Sequence, residues 1–216
     1  MNKIRILIAD DHSMIRQGIK AVIAAQPAWE FCGEANNGRT LLALAVKHKP
    51  DIVIMDITMP ELNGLDTTRL LRLQCPAARI LILTMHDSES LVDEVLKAGA
   101  HGYLLKSDAG ELLPKAIGAV AAGHSFLTPR FADDVHRPNL PATAAPDEPY
   151  RARLTPRERQ IVQLLAEGKS NKEAAEALGI SLTTVETHRK NILAKLKLHG
   201  MADLVRYAIR NQFIQA

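Results

Sequence analysis

The 216-residue chain is predicted to fold as an α/β domain with a doubly wound parallel sheet, followed by a small all-α domain. Three observations predict this architecture. Residues 1–124 alternate short apolar runs with segments of helical apolar spacing, five times in succession. Residues 126–150 hold five of the eleven prolines and show no apolar period, as interdomain linkers do. Helix-capping patterns then recur after residue 154.

Five strands are predicted in the first domain, at residues 4–9, 30–35, 51–55, 79–84 and 102–105. The third contains Ile52-Val53-Ile54-Met55 and is expected at the centre of the sheet, buried on both faces. A helical pattern follows each strand, which is typical of parallel βαβ units with right-handed crossovers. The expected strand order is therefore the flavodoxin-like order 2-1-3-4-5.

Charge divides unevenly between the two predicted domains. Residues 1–150 carry 15 Lys+Arg and 18 Asp+Glu, or −3, and residues 151–216 carry 12 and 6, or +6, which together give the +3 of the chain. The basic second domain is expected to meet a polyanion, with a chance surface imbalance as the alternative. Cys32 and Cys75 lie far apart and fit no metal spacing. A disulfide framework is not expected, which fits a reducing cytoplasm. Asp10 interrupts the first apolar run, so neither a signal peptide nor a membrane span is expected.

Polar side chains follow four of the five predicted strands. Asp10 and Asp11 follow the first, Asp56 the third, Thr84 ends the fourth and Lys106 follows the fifth. Because the carboxyl ends of parallel strands meet at one rim, these groups are expected to converge. Three adjacent carboxylates repel and need a cation, and an all-oxygen ligand set favours Mg²⁺. The pattern predicts a nucleophilic aspartate, a divalent metal and a transferred phosphoryl group. Taken singly, each aspartate has helix capping as its alternative.

Residues 1 to about 124 resemble the receiver domain of a bacterial two-component response regulator. The resemblance lies in Asp10-Asp11-His12, the stretch 55–60 around Asp56, Thr84 and the stretch 102–106 that ends in Lys106. It implies that Asp56 accepts a phosphoryl group from a sensor histidine kinase and that Lys106 holds a phosphoryl oxygen. It also implies a Mg²⁺ site made by Asp10 (largely through water), Asp11, Asp56 and the backbone carbonyl of Thr58.

The same resemblance implies a conformational switch beside the phosphorylation site. Thr84 would move toward the phosphoryl group, and Tyr103 would turn inward into the space released. Thr58 and His86 are expected to flank the path of the hydrolytic water and to tune dephosphorylation, with a solvent-exposed histidine as the equal alternative. Ser107 departs from the family pattern, in which many receivers have a cis-proline after the lysine.

Capping patterns predict the helices of the second domain. Thr155 and Glu158 form a capping box with proline at the first helical position, and Ser170 and Glu173 form another. Ser181 caps a longer helix, from 182 to about 198, and a last helix spans about 201–213. The turn 179–181 between the second and third helices predicts a helix-turn-helix.

The helix after Ser181 is predicted to be the DNA-reading element. Its inward face is expected to hold Leu182, Val185, Ile192 and Leu196. Glu186 has two interpretations, acceptance from cytosine N4 or pairing with Lys190, of which pairing is favoured. Thr187 and Lys190 are predicted to read base edges. The predicted phosphate contacts are Asn171, Lys172, Thr183, Thr184 and Arg189.

Residues 154–210 resemble the four-helix DNA-binding domain of NarL/FixJ, or LuxR-type, response regulators. The resemblance lies in the stretches 154–158, 166–173 and 184–188. It implies a homodimer that reads an inverted-repeat operator and pairs through the last helix, whose apolar stripe has burial in its own core as an alternative or additional role. That stripe contains Leu204, Val205, Ala208 and Ile209.

The sequence therefore predicts a cytoplasmic, phosphorylation-switched transcriptional regulator, not an enzyme beyond its own phosphoryl transfer. Its expected parts are a receiver at 1–125, a linker at 126–150 and a DNA-binding domain at 151–216. One alternative is a DNA-binding protein that works independently of phosphorylation. The other is a phosphohydrolase of the haloacid-dehalogenase kind, which would place its aspartate nucleophile after the first strand.

Overall fold

The computed structural model describes residues 3–131, 154–211 and 213–214. The chain divides into two compact units, Met1–Asn139 and Leu140–Ala216. Most of the predicted linker, from residue 132 to 150, lies outside the described residues. None of the helices in the described ranges is long and apolar enough to cross a membrane.

The first unit is a parallel sheet with the strand order β2-β1-β3-β4-β5-β6, which confirms the predicted doubly wound topology. Helices connect or follow these strands. The elements are β1 (Ile4–Ala9), α1 (Ser13–Ala24), β2 (Trp29–Ala35), α2 (Gly38–His48), β3 (Ile52–Met55), α3 (Gly64–Gln74), β4 (Arg79–Thr84), α4 (Glu89–Lys97), β5 (Gly102–Leu105), a 3₁₀ turn (Lys106–Asp108), α5 (Ala109–Ala121) and β6 (Phe126–Leu127).

The sheet separates two apolar cores. Val53 and Met55 of β3 belong to one buried cluster, and Ile52 and Ile54 belong to the other. All four residues are at most 1% exposed because helices cover both faces of the central strand. This double burial explains the uninterrupted apolar run that identified β3 in the sequence.

A sixth strand corrects the predicted count of five. Phe126 and Leu127 form β6, which pairs in parallel with β5. The Thr128 hydroxyl then accepts a hydrogen bond from the Leu105 N–H at 3.0 Å. Phe131 is 2% exposed and lies edge-on to the Tyr103 ring, with 5.7 Å between the ring centroids. Residues 126–131 therefore belong to the first unit, although they fall in the predicted linker.

The described part of the second unit contains four helices around one apolar core. Both predicted capping boxes are present, at Thr155 with Glu158 and at Ser170 with Glu173. Gly179 ends the second of these helices with a φ of 62°, a left-handed conformation that glycine adopts without a steric penalty. The helices are α6 (Pro156–Ala166), α7 (Asn171–Leu178), α8 (Leu182–Leu196) and α9 (Met201–Arg210).

Candidate functional site

Three charged side chains meet at the carboxyl ends of β1, β3 and β5. The Lys106 Nζ atom lies 2.7 Å from Asp10 Oδ2 and 2.6 Å from Asp56 Oδ2. All three side chains are almost fully buried, with 4%, 1% and 2% exposed, respectively. A single ammonium group therefore bridges two carboxylates out of contact with water. This juxtaposition follows from the strand order, which makes β1 and β3 direct neighbours.

The carboxylates beside Lys106 also form a candidate metal site. Potential ligand atoms of Asp10, Asp11, His12 and Asp56 all lie within 4.8 Å of one another. Asp10 Oδ2 is buried and lies 2.7 Å from the Lys106 ammonium nitrogen. Carboxylate oxygens are hard ligands, so this oxygen-rich cluster fits Mg²⁺. The His12 Nδ1 atom lies 2.7 Å from Asp11 Oδ1, which links the exposed part of the cluster.

Burial and mutual charge shift the titration of the central pair. Burial raises the pKa of Asp56, and the neighbouring Lys106 ammonium opposes that effect without cancelling it. Burial alone would lower the pKa of Lys106, but the carboxylates of Asp56 and Asp10 raise it above its ordinary value. Lys106 therefore stays charged at neutral pH and acts as a fixed cation beside Asp56.

Gly64 was not singled out in the sequence, yet it shapes the phosphoacceptor loop. A Cβ atom at Gly64 would lie 2.3 Å from the Asp56 carbonyl oxygen and 2.8 Å from the Ile57 Cα atom. The Gly64 N–H donates to the Ile57 carbonyl at 2.6 Å, and the Ile57 N–H donates to Asp56 Oδ1 at 2.6 Å. Only glycine permits this close approach of α3 to Asp56. The available signal was a glycine directly after Asn63, which caps α3.

The predicted switch residues lie together next to the site. Thr84 and Tyr103 are both 0% exposed. The Thr84 hydroxyl accepts from the His86 N–H at 3.2 Å, and the Tyr103 hydroxyl donates to the His86 carbonyl at 2.6 Å. Burial, followed by the charges of Asp87 and Asp56, raises the pKa of Tyr103 far above its ordinary value, so the hydroxyl remains a donor. The tyrosine ring is thus already in the inward position in this structure.

Thr58 and His86 are brought into direct contact by the loops after β3 and β4. The Thr58 hydroxyl and His86 Nε2 are 2.8 Å apart, at hydrogen-bond distance. Thr58 is 5% exposed and His86 is half-buried, so the histidine is not the freely exposed loop residue of the alternative interpretation.

The Lys106–Ser107 peptide bond is trans, as are all the other peptide bonds among the described residues. Lys106 opens a 3₁₀ turn, and its side chain still reaches Asp10 and Asp56. The replacement of proline by Ser107 therefore leaves the ammonium group in the site.

Helix α8 of the second unit presents a polar face to solvent. Val185, Ile192 and Leu196 are buried as predicted, but Leu182 is 44% exposed and does not join them. Leu182 is the first helical residue, before the helix has turned fully onto its core. Among the predicted DNA contacts, Lys172, Thr183, Glu186, Thr187 and Lys190 are exposed, and Asn171, Thr184 and Arg189 are half-buried.

Hydroxyl groups on α8 are engaged with the helix itself. The Thr187 hydroxyl donates to the Thr183 carbonyl at 2.9 Å, and the Thr184 hydroxyl lies 2.7 Å from that of Ser181. The favoured pairing of Glu186 with Lys190 is wrong, because these two described residues form no ion pair. Both side chains project into solvent, where an exposed pair gains little over hydration. Lys190 is therefore available to a ligand.

Two family models match the two units separately. The response regulator receiver domain model matches residues 6–117, and the model of bacterial regulatory proteins of the luxR family matches residues 152–208. The chain is a two-component response regulator with a LuxR-type DNA-binding domain. The receiver match spans Asp10, Asp56 and Lys106, and the second match spans α6 to α8 and most of α9.

Individual regulators are similar over nearly the whole chain. The nitrate/nitrite response regulator protein NarL of Escherichia coli (strain K12) is 40% identical over 198 residues, which cover 92% of this chain and 91% of NarL. The RcsB response regulator of Salmonella typhimurium is 26% identical, with a TM-score of 0.64 over 96% of this chain and 97% of that one. A solved RcsB–DNA complex is 25% identical, with a TM-score of 0.59 over 95% and 98%.

The predicted dimerisation residues on α9 differ in how deeply they are buried. Leu204 and Ala208 are 0% exposed and pack in the core of their own unit. Val205 is half-buried and Ile209 is 36% exposed. Burial in the core therefore accounts for Leu204 and Ala208, while Val205 and Ile209 are the members of the stripe open to a partner.

Proposed function

We propose that this response regulator accepts a phosphoryl group on Asp56 from a sensor histidine kinase, and that this modification controls its binding to DNA. The observation that carries the proposal is the buried Lys106 ammonium group, shared between Asp10 and Asp56 beside the acidic pair. An ammonium group placed on the nucleophile can transfer its contact to an incoming phosphoryl oxygen.

The chemistry follows from the positions of the two Asp56 oxygens. One oxygen attacks the phosphorus of the kinase phosphohistidine, the phosphorus–nitrogen bond breaks, and the leaving imidazole nitrogen keeps the electron pair. Asp10 (largely through water), Asp11, Asp56 and the Thr58 carbonyl would hold Mg²⁺, which would supply positive charge to the phosphoryl oxygens. The Lys106 ammonium group neutralises the negative charge that develops on the phosphoryl oxygens. The Ile57 N–H, 2.6 Å from Asp56 Oδ1, keeps the carboxylate oriented.

We assign the signal to Thr84 and Tyr103 and the phosphoryl lifetime to Thr58 and His86. Thr84 exchanges its contact with the His86 N–H for a phosphoryl oxygen, which alters the loop that holds the Tyr103 hydroxyl. The hydrogen-bonded pair of Thr58 and His86 limits the approach of the hydrolytic water. We expect His86→Ala to change the decay rate of the phosphorylated protein, and an unchanged decay rate would remove His86 from this role.

Phosphorylation of purified protein tests the main proposal. With Mg²⁺ and a phosphorylated kinase or a small phosphodonor, we expect one phosphoryl group per chain, no incorporation in Asp56→Asn, and none after chelation of Mg²⁺. Asp93→Asn, which removes an exposed carboxylate on α4, is the matched control and should incorporate normally. Absence of label in the wild type with every donor would overturn the proposal.

We propose that α8 enters the major groove of an inverted-repeat operator, bound by a homodimer that pairs through Val205 and Ile209. The exposed Thr187 and Lys190 read base edges, and Asn171, Lys172, Thr183, Thr184 and Arg189 contact phosphates. Glu186, which is free of Lys190, accepts from cytosine N4. We also infer that the regulator works in the cytoplasm, because it would act on DNA in response to a kinase.

Variants of Lys190 and Lys172 distinguish the reading of base edges from contact with phosphates. We expect Lys190→Ala to cost about 1–3 kcal/mol on the selected operator and to relax its sequence preference. Lys172→Ala should weaken binding to all sequences alike and reduce the slope of log affinity against log salt by about 1. Lys47→Ala, on the exposed face of α2, is the control. An equal loss on all sequences for Lys190→Ala would make it a phosphate contact instead.

The relatives named above are regulators, and we infer that this chain catalyses only its own phosphoryl transfer and dephosphorylation. A phosphohydrolase would release phosphate from small esters with turnover, which the test with a small phosphodonor measures directly. A regulator independent of phosphorylation would bind DNA equally well as wild type and as Asp56→Asn, with and without a phosphodonor.

A further inference from the structure

A largely buried arginine holds the loop that carries Asp10 and Asp11. Arg16, on α1, donates through Nη1 to the Asp10 carbonyl at 2.7 Å and to the Asp11 carbonyl at 3.3 Å. Its Nε atom donates to Glu34 Oε2 at 2.8 Å. The Arg16 side chain is 18% exposed, so most of it is enclosed between α1, the loop and β2. One guanidinium group thus connects the backbone of both aspartates to the neighbouring strand.

Glu34 fixes the orientation of this guanidinium group. Its second oxygen accepts from Lys20 Nζ at 2.5 Å, so two cations from α1 hold one carboxylate on β2. The hydrogen bond from Lys20, together with that from Arg16, keeps the pKa of Glu34 below its ordinary value. A carboxylate that stays ionised and is bonded on both oxygens leaves the Arg16 fork little freedom to rotate.

Other contacts also constrain the acidic loop, including the Asp10 N–H, which donates to a carbonyl of β2 at 3.2 Å. The Asp10 side chain is held by Lys106 and by the His12 N–H at 2.9 Å. The Asp11 side chain contacts His12 Nδ1, and the His12 side chain is itself 52% exposed. The adjacent carboxylates of Asp10 and Asp11 repel each other and the nearby carboxylate of the phosphoacceptor. Opening of the loop would relieve this repulsion. The hydrogen bonds of Arg16 to the backbone oppose that opening.

We propose that Arg16, oriented by Glu34, is a positioning residue that preorganises Asp10 and Asp11 for a divalent cation. The inference deepens the proposed function and rests on its metal site. Two effects of Arg16 on cation affinity oppose each other. Its positive charge disfavours a nearby cation, whereas its hydrogen bonds hold the ligands in place. Groups that orient metal ligands typically contribute about 10- to 100-fold in affinity, so the second effect prevails.

Titration of Mg²⁺ into the full-length protein in a calorimeter measures the Mg²⁺ Kd directly. It tests the proposal without any phosphorylation step. We expect Arg16→Met to raise the Mg²⁺ Kd by at least about tenfold. Lys20→Met removes one of the two cations from Glu34 but keeps the hydrogen bonds of Arg16 to the loop, so its Kd should rise less than that of Arg16→Met. Lys47→Met, remote and exposed, controls for net charge. Fluorescence of Trp29, the single tryptophan, checks that each variant is folded.

A conservative variant keeps the test decisive if Arg16→Met does not fold. Arg16→Lys retains the charge, but an ammonium group cannot make the same fixed fork, so its Kd should also rise above that of wild type. A Kd for the folded Arg16 variants equal to or below that of wild type would overturn the positioning role.

Asp11→Asn separates this inference from the proposed function. If Asp11→Asn weakens Mg²⁺ binding and the Arg16 variants do not, only the positioning role fails. If wild type itself binds no Mg²⁺, the metal site of the proposed function fails and the inference falls with it.

Discussion

Replacement of Lys106 by methionine isolates the energetics of the buried charge cluster. The side chains of Lys106, Asp10 and Asp56 are 4%, 1% and 2% exposed, and the ammonium group lies within 2.7 Å of both carboxylates. Coulomb's law with an effective dielectric constant of 20 gives an attraction of about 6 kcal/mol for each such contact before desolvation. Methionine fills a similar volume, so the change removes charge with little loss of packing.

Protonation limits the loss of stability. Without Lys106, burial and the charge of Asp10 raise the pKa of Asp56 further, and one carboxylate takes up a proton on folding. For a carboxyl group whose ordinary pKa is about 3.9, this costs about 4 kcal/mol at pH 7. The value agrees with the range of about 3–5 kcal/mol for removing one partner of a buried ion pair. We therefore expect Lys106→Met to lower the free energy of unfolding by about 3–5 kcal/mol at pH 7.

The loss should depend on pH in a defined direction. A carboxyl group whose folded pKa lies above its unfolded value stabilises the fold at low pH, and that contribution is lost as pH rises through the folded pKa. At pH 5 the protonation cost falls to about 1–2 kcal/mol, so the variant should recover about 2–3 kcal/mol relative to wild type. Saturating Mg²⁺ should also restore stability to the variant at pH 7, since it neutralises the same carboxylates.

Urea unfolding followed by Trp29 fluorescence measures this effect in the full-length protein. Trp29 begins β2 and is the only tryptophan, so its signal reports on the first unit alone. A loss below about 1 kcal/mol at pH 7, within the range of an exposed ion pair, would refute the view that a buried ion pair is being broken. An equal loss at pH 5 and pH 7 would refute the protonation argument.

Three further substitutions test other parts of the structure. Phe131→Ala should cost about 3–5 kcal/mol in the Trp29-monitored unfolding of the first unit, because it leaves a cavity against Tyr103; a loss near zero would return residues 126–131 to the linker. Gly64→Ala should cost about 1–3 kcal/mol and slow phosphorylation, because its Cβ would lie 2.3 Å from the Asp56 carbonyl oxygen; Gly110→Ala, where no atom lies within 4 Å of the added Cβ, is the control. Thr155→Ala should cost about 1 kcal/mol in the second unit by removing a capping hydrogen bond, as measured by amide exchange in α6, and unaltered exchange would contradict the capping role.

Local signals account for most of what was predicted correctly. The strands of the receiver were predicted from apolar runs whose length and spacing reflect burial on both faces of the sheet. The helices of the second unit were predicted from side chain–backbone caps such as Thr155 with Glu158, whose partners are three residues apart. Asp56 could be located because strand ends in a parallel sheet have only one rim at which to meet.

Predictions that depended on neighbours distant in sequence were less secure. β6 is two residues long, too short to show any period, and it exists because β5 offers an unpaired edge. Leu182 shares the apolar spacing of α8 but lies at its first turn, outside the core. Glu186 and Lys190 have the spacing of a helical ion pair, yet both are exposed, and hydration of the two charges is about as favourable as pairing them.

The sequence by itself determined the fold class, the two-domain organisation and the residues from which the receiver site is built, because periodicity, capping and strand-end chemistry are local properties. The tertiary structure decided what those residues contact. It placed Lys106 between two buried carboxylates, brought Thr58 to His86, and showed that Arg16 holds the Asp10–Asp11 loop from a neighbouring helix. Lys106 is 50 positions from Asp56 and Thr58 is 28 positions from His86. Only close packing of the whole unit brings such residues within hydrogen-bond distance.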